Sequence, residues 1–113
     1  MGKQPKAKRY WRIEGYDSTR RIFKTRVELG QFTDSQIKGV LRALVAKAGL
    51  TDDEIVGAYA KRRTKIANDL LCVHHDSLHF TYMCGGTVNF AASIVDASNK
   101  IIRPPEWMTR PKL

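Results

Sequence analysis

From residue 70 onward apolar and polar residues alternate in three short runs, 70–75, 78–84 and 88–95, broken by Asp76-Ser77 and Gly85-Gly86. That period, with those breaks, predicts three antiparallel strands joined as successive hairpins. A two-residue Asp76-Ser77 loop sets His75 opposite Leu78, His74 opposite His79 and Val73 opposite Phe80. A three-residue Gly85-Gly86-Thr87 loop, with a glycine in the left-handed conformation, then pairs Cys84 with Val88. On that register Leu71, Val73, His75, Leu78, Phe80, Tyr82, Cys84, Val88, Phe90, Ala92 and Ile94 share one apolar face. The other face holds Leu70, Cys72, His74, His79, Thr81, Met83, Asn89, Ala91, Ser93 and Val95, and is mixed. A one-residue change in the second loop would exchange the faces of the third strand.

The amino-terminal part alternates as well. Residues 10–14 place Trp11 and Ile13 on one side and Tyr10, Arg12 and Glu14 on the other. Residues 20–29 place Phe23, Thr25, Val27 and Leu29 against Lys24, Arg26 and Glu28, with Ile22 out of pattern. With residues 15–19 as turn chemistry, this is a hairpin with a basic face. Thr33 followed by Gln36 is a capping box, and Phe32 is placed to staple onto Ile37. The helix it opens carries Ile37, Val40, Leu41, Leu44, Val45 and Ala48 as its apolar stripe, Lys38, Arg42 and Lys47 opposite, and Gly49 as its left-handed stop. Thr51 and Glu54 repeat the capping box at once. A second helix is expected there with Ile55, Val56, Tyr59 and Ala60 as its stripe, ended by the basic run 61–65, which suits the negative end of a helix dipole. After the last strand, residues 96–99 form a closing turn. Residues 100–103 are a short edge strand or docking segment ended by Pro104-Pro105.

These elements define an α+β class: a single domain of order ββααβββ, an antiparallel sheet with two helices packed on one face. The pattern leaves open whether the amino-terminal hairpin joins the meander or forms a second layer. A mobile basic arm is expected over residues 1–9, the globular domain over 10–103 and an extended, proline-containing tail over 104–113. At 113 residues the chain can bury about 65% of its unfolded surface without metals or disulfides. Two cysteines are too few for a disulfide framework, and both are expected reduced. No apolar run approaches the roughly 20 residues that span a bilayer, and the basic amino terminus leads into no apolar segment. The expectation is a cytoplasmic protein with no membrane contact.

Charge changes the picture more than composition does. Residues 1–65 hold 16 Lys/Arg against 7 Asp/Glu, whereas residues 66–113 hold 4 of each, so the whole formal charge of +9 lies in the first part. Such asymmetry favours nucleic acid, acidic proteins or anionic lipid surfaces as partners and does not choose among them. If the helices cover the face carrying Trp11, Ile13, Phe23 and Val27, the other face displays Tyr10, Arg12, Lys24 and Arg26, near His74, His79, Thr81 and Asn89. Cations would neutralise phosphates there and a tyrosine would offer a stacking surface. Lys3, Lys6, Lys8 and Arg9 of the arm, Arg20 at the hairpin turn, and Lys61, Arg62 and Arg63 extend the candidate set. An open sheet face is polar in any case, and no ribonucleoprotein, KH or zinc-finger signature occurs.

Three chemical alternatives compete. Cys72, His74 and His79 share a face and could present soft ligands to one zinc ion, but a fourth ligand is missing and no C-x-x-C or H-x-x-H spacing occurs. Cys72, His74 and Asp69 or Asn89 could be assembled as a nucleophile, base and orienting group. Residues two apart on a strand are about 6.6 Å apart, however, too far for a ready hydrogen bond. Gly85-Gly86 lacks the helix and lysine of a phosphate-binding loop, and a hairpin turn accounts for it. No cofactor and no enzymatic activity are therefore expected. The remaining alternative is a protein-interaction or homodimerisation module using Ile101, Ile102, Trp107 and Met108 with Leu70, Met83, Ala91 and Val95 of the second sheet face.

Overall fold

Strands from the two ends of the chain lie side by side at the centre of the molecule. In the computed structural model, which describes residues 8–76 and 81–102, β1 (Arg9–Asp17) pairs antiparallel with β2 (Arg20–Glu28) on one side and with β5 (Val88–Asp96) on the other. β4 (Thr81–Gly85) and β3 (Val73–Asp76) complete one five-stranded antiparallel sheet of order β2-β1-β5-β4-β3. The amino-terminal hairpin thus joins the meander rather than forming a second layer. Helices α1 (Asp34–Gly49) and α2 (Asp52–Ala58) are inserted between β2 and β3, giving the order ββααβββ of an α+β domain. The arm with Lys3 and Lys6, the residues Ser77, Leu78, His79 and Phe80, and the tail with Trp107 and Met108 lie outside the described residues. Among the described residues no helix is long and apolar enough to cross a membrane.

The core forms where α1 crosses one face of the sheet. Trp11 and Ile13 of β1, Ile37, Leu41 and Val45 of α1, Cys84 of β4 and Phe90, Ala92 and Ile94 of β5 are buried together with Leu71. Both helices begin with complete capping boxes, Thr33 with Gln36 and Thr51 with Glu54, each threonine accepting from the N3 amide while the N3 side chain accepts from the threonine amide.

Several expectations need correcting. The hairpin turn is only Ser18-Thr19, and Gly15, Tyr16 and Asp17 continue β1. Gly15 is needed in the strand because the Phe90 ring lies over it: a Cβ there would come within 2.3 Å of Phe90 Cε2. Gly15 pairs with Phe23 but Tyr16 pairs with Arg21, so Ile22 is the extra residue of a β-bulge, which explains why it breaks the alternation. Gly49 is the last helical residue rather than a left-handed stop. Leu50 caps α1 in extended conformation, and a Cβ on Gly49 would lie 2.9 Å from Val88 Cβ. Within α1, Ala48 is exposed, while Lys38 and Arg42 are half-buried on a flank of the helix rather than opposite its stripe.

α2 is misphased relative to its expected stripe. Val56 and Tyr59 are 60% and 70% exposed, whereas Gly57 is buried and Ala58 packs against the core. Its inner side carries small residues because the returning chain crosses it: the Gly57 carbonyl accepts from the Asn68 amide, and the Asn68 Nδ2 donates to the Glu54 carbonyl at 3.0 Å. The basic run 61–65 starts beyond the end of α2, which has no basic residue in its last turn, so it does not serve the helix dipole.

Both registers of the meander also differ. Val73 pairs with Cys84 and Asp76 with Thr81, so His74 faces Met83, not His79, and His75 faces Tyr82. Cys84 pairs with Phe90 and Gly85 with Asn89, so Gly85 belongs to β4 and only Gly86 and Thr87 connect the strands, while Val88 already starts β5 opposite Asp17 of β1. Each shift is by an even number of residues, so the faces keep their membership. Residues 70 and 71 precede β3 as a turn, Val95 is fully buried, and Ile102 packs against the core with its amide bonded to the Ile94 carbonyl at 2.9 Å. Ile101 bridges to Val95 in the manner of a short edge segment.

Candidate polyanion-binding surfaces

The sheet face away from α1 is where the hairpin cations gather, because even-numbered residues of β1 turn away from buried Trp11 and Ile13. Tyr10, Arg12, Glu14 and Tyr16 lie on it from β1, and Lys24, Arg26 and Glu28 from β2. The bulge at Ile22 adds Arg21, opposite Tyr16, and leaves Arg20 opposite Asp17. Arg21 and Tyr16 therefore belong to this face although the residue pattern pointed to Arg20 and placed Tyr16 in a turn. The unmatched Ile22 was the available signal.

Much of this charge is already engaged. The Arg12 side chain, 17% exposed, donates from Nη1 to the Asn99 carbonyl at 3.1 Å. Its Nε lies 3.3 Å from Glu14 Oε1, close enough for ion pairing but out of line for a hydrogen bond. Glu14 also takes Arg21 Nη1 at 3.5 Å. Arg26 stacks its guanidinium 4.1 Å from the Tyr10 ring centroid and donates to the Ala97 carbonyl at 3.1 Å. The two arginines thus hold the turn after β5, which Asp96 organises by accepting from the Ser98 hydroxyl and the Ser98 and Lys100 amides. The Ser98 hydroxyl and then the Lys100 amide hold the Asp96 carboxyl below its ordinary value. Lys24 is exposed with no ion-pair partner among the described residues, and with Thr25, Arg26 and Asn99 it lines a hollow of about 400 Å³. Lys8, exposed, sits 3.9 Å from Glu28, and Arg9 is exposed at the start of β1.

Lys61, Arg62, Arg63 and Lys65 are all exposed, and among the described residues no carboxylate pairs with any of them. Arg63 has a left-handed φ of 70°. Arg62 and Arg63 line a hollow of about 600 Å³ with Ala58, Asn68, Asp69 and Cys72, the last being the residue before β3. This run belongs to the β3 edge of the sheet. The β2 edge is four strand spacings away, roughly 19 Å. The structure therefore separates two basic surfaces that the linear charge count had merged.

Of the candidates for metal or nucleophilic chemistry, His79 lies outside the described residues, and Cys72, His74 and Asn89 are not drawn together. Cys72 is exposed and outside β3, His74 is opposite Met83, and Asn89 lies two strands away on β5 with its Nδ2 on the Gly86 carbonyl at 3.0 Å. Among the described residues no three His, Cys, Asp or Glu side chains converge on one point. Both cysteines are free, and burial raises the Cys84 thiol above its ordinary value.

The residue pattern did not anticipate a polar cluster where the amino end of α1 meets β3 and β4. The Tyr82 hydroxyl donates to Asp34 Oδ1, Lys38 Nζ lies 3.1 Å from Asp34 Oδ2 and 5.0 Å from the Tyr82 ring centroid, and the His75 ring packs 4.8 Å from that of Tyr82. Four residues further along the same flank, Arg42 Nε donates to the Leu71 carbonyl at 3.2 Å. These contacts orient α1 on the sheet. Burial, and then the hydrogen bond to anionic Asp34, push the Tyr82 hydroxyl well above the usual tyrosine value. In the unfolded chain this phenol loses its proton near pH 10, while the folded chain keeps it, so the contribution is intact below pH 10 and falls as pH rises. Chemical denaturation from pH 8 to 11 should show a loss of at most about 1.4 kcal/mol per pH unit, reduced by solvent access to the ring edge. Tyr82→Phe should flatten that slope; an unchanged slope would contradict the assignment.

No known family model, curated protein or solved structure matches this chain.

Proposed function

We propose that this chain is a non-enzymatic protein that binds a polyanion, with nucleic acid as its partner. The observation that carries the reading is the run Lys61, Arg62, Arg63 and Lys65. Four exposed cations lie within five residues, without a carboxylate partner among the described residues and without a helix end to complement. Crowded like charges repel, and an external anion relieves that cost while releasing its own counterions. Lys24, without an ion-pair partner among the described residues, and the exposed Arg9, Arg21 and Arg26 add a second patch at the far edge of the sheet.

The test is a salt titration of binding to single-stranded RNA and duplex DNA. Dissociation constants of about 10⁻⁴ to 10⁻⁶ M at physiological salt are expected, weakening steeply as salt rises. Changing residues 61, 62, 63 and 65 together to glutamine should reduce the slope of log K against log salt by about 3 to 4. Affinity no better than about millimolar at roughly 50 mM salt would end this reading. Light scattering on the same sample reports the alternative, self-association.

A further inference from the structure

Resting on the polyanion reading, we propose that the ligand is an unpaired strand of nucleic acid laid on the helix-free face of the sheet, with phosphates along β2 and a base stacked on Tyr16. Three features of that face select it. First, the bulge at Ile22 turns Arg21 onto the same side as Lys24 and Arg26, making β2 a cationic rail along one margin of the face. Lys24 and Arg26 already border the hollow of about 400 Å³ there.

Second, the two tyrosines of β1 are not equivalent. Tyr10 is covered by the Arg26 guanidinium, whereas Tyr16 is half-buried and has no ring or hydrogen-bond partner among the described residues. Its cross-strand neighbour on β5 is Asn89, whose side chain is bonded to the Gly86 carbonyl, and the next position on β4 is Gly85, which has no side chain. A ring held by its strand on a low surface and lacking a partner of its own is what an unstacked base requires.

Third, the width excludes a groove. Five strands span roughly 19 Å, more than the ~12 Å of a duplex major groove, so the face cannot be inserted as a two-stranded ribbon can. Bases that present their π-faces, rather than edges at the floor of a groove, are the chemistry this surface meets.

The test uses the full chain and fluorescence anisotropy with labelled single-stranded RNA, single-stranded DNA and a matched duplex, competed with heparin. Single strands should bind more tightly than the duplex. Tyr16→Ala should weaken single-strand binding about 5- to 150-fold with little change in salt slope, and Tyr16→Phe should restore it, since the phenyl ring still stacks. Arg21→Gln with Lys24→Gln should lower the salt slope and weaken all polyanions alike. If Tyr16→Ala binds single strands as the wild type does, or duplex and heparin bind as tightly as single strands, the stacking surface is refuted while polyanion binding stands. If none of the ligands binds, both readings fall.

Discussion

Trp11→Ala is expected to cost about 3–5 kcal/mol of folding stability, a large share of the roughly 5–15 kcal/mol that holds an ordinary domain together. Trp11 is 1% exposed in β1, with Val27 and Ile94 as its cross-strand neighbours and the Tyr82 ring centroid 6.2 Å away. Its Nε1 donates to the Phe32 carbonyl at 3.3 Å, which fixes the chain just ahead of the α1 capping box. Alanine leaves a cavity at the centre of the sheet and an orphaned carbonyl at the entry to the helix. Trp11→Phe keeps most of the ring volume and loses the hydrogen bond, so it should be the milder change. Urea denaturation with unchanged m-values measures both. A cost below about 1 kcal/mol for Trp11→Ala would mean that this face of β1 is not the core.

The face assignment behind that prediction was readable from alternation alone, and so were both helix starts. Periodicity reports which side of a strand is buried, and capping boxes are local in sequence. Register is not local. The pairings of His74 and of Cys84 were misplaced by four and two residues, yet the faces survived because both displacements were even. Gly15 was unreadable as a strand residue, since a glycine in sequence signals a break and only the Phe90 ring above it supplies the reason for its presence. In α2 the helix is too short for an apolar stripe to dominate, and the side that packs is marked by Gly57 and Ala58 rather than by large residues.

Surface chemistry was less legible still. The charge excess was plain in sequence, but strand order separates the cations of β2 from those of residues 61–65, and no local pattern encodes that order. Arg12 is held by Glu14, two residues along the same face of β1 and visible in the alternation, and by the Asn99 carbonyl, which only long-range packing brings to it. Arg21 takes the place of Arg20 on the candidate face because Ile22 is a bulge, which no local pattern in β2 announces beyond the break in alternation. The cluster of Asp34, Lys38, Tyr82 and His75 joins segments more than thirty residues apart, so only the i, i+4 spacing of Asp34 and Lys38 hinted at it.

The two glycines of the β4–β5 connection should separate sharply, and their difference tests the register on which both faces depend. Gly85→Ala is expected to cost about 3 kcal/mol or more. Gly85 sits at φ +104°, where an L side chain is strained, and an added Cβ would come 2.3 Å from the Val88 carbonyl oxygen and 3.0 Å from Asn89 Cα. Those contacts are backbone, so no rotamer change relieves them, and Val45 Cγ2 at 3.2 Å closes the third direction. Gly86→Ala meets nothing within 4 Å and needs no left-handed φ, so it should stay within about 0.5 kcal/mol of the wild type. The damage at position 85 would spread, because the Thr87 carbonyl accepts from the Ser18 amide at 2.8 Å and ties this loop to the β1–β2 turn. Equal costs at 85 and 86 would place the loop elsewhere and remove the low surface beside Tyr16; a large cost confined to 85 requires Gly85 to pair with Asn89 and keeps Cys84 and Phe90 together in the core.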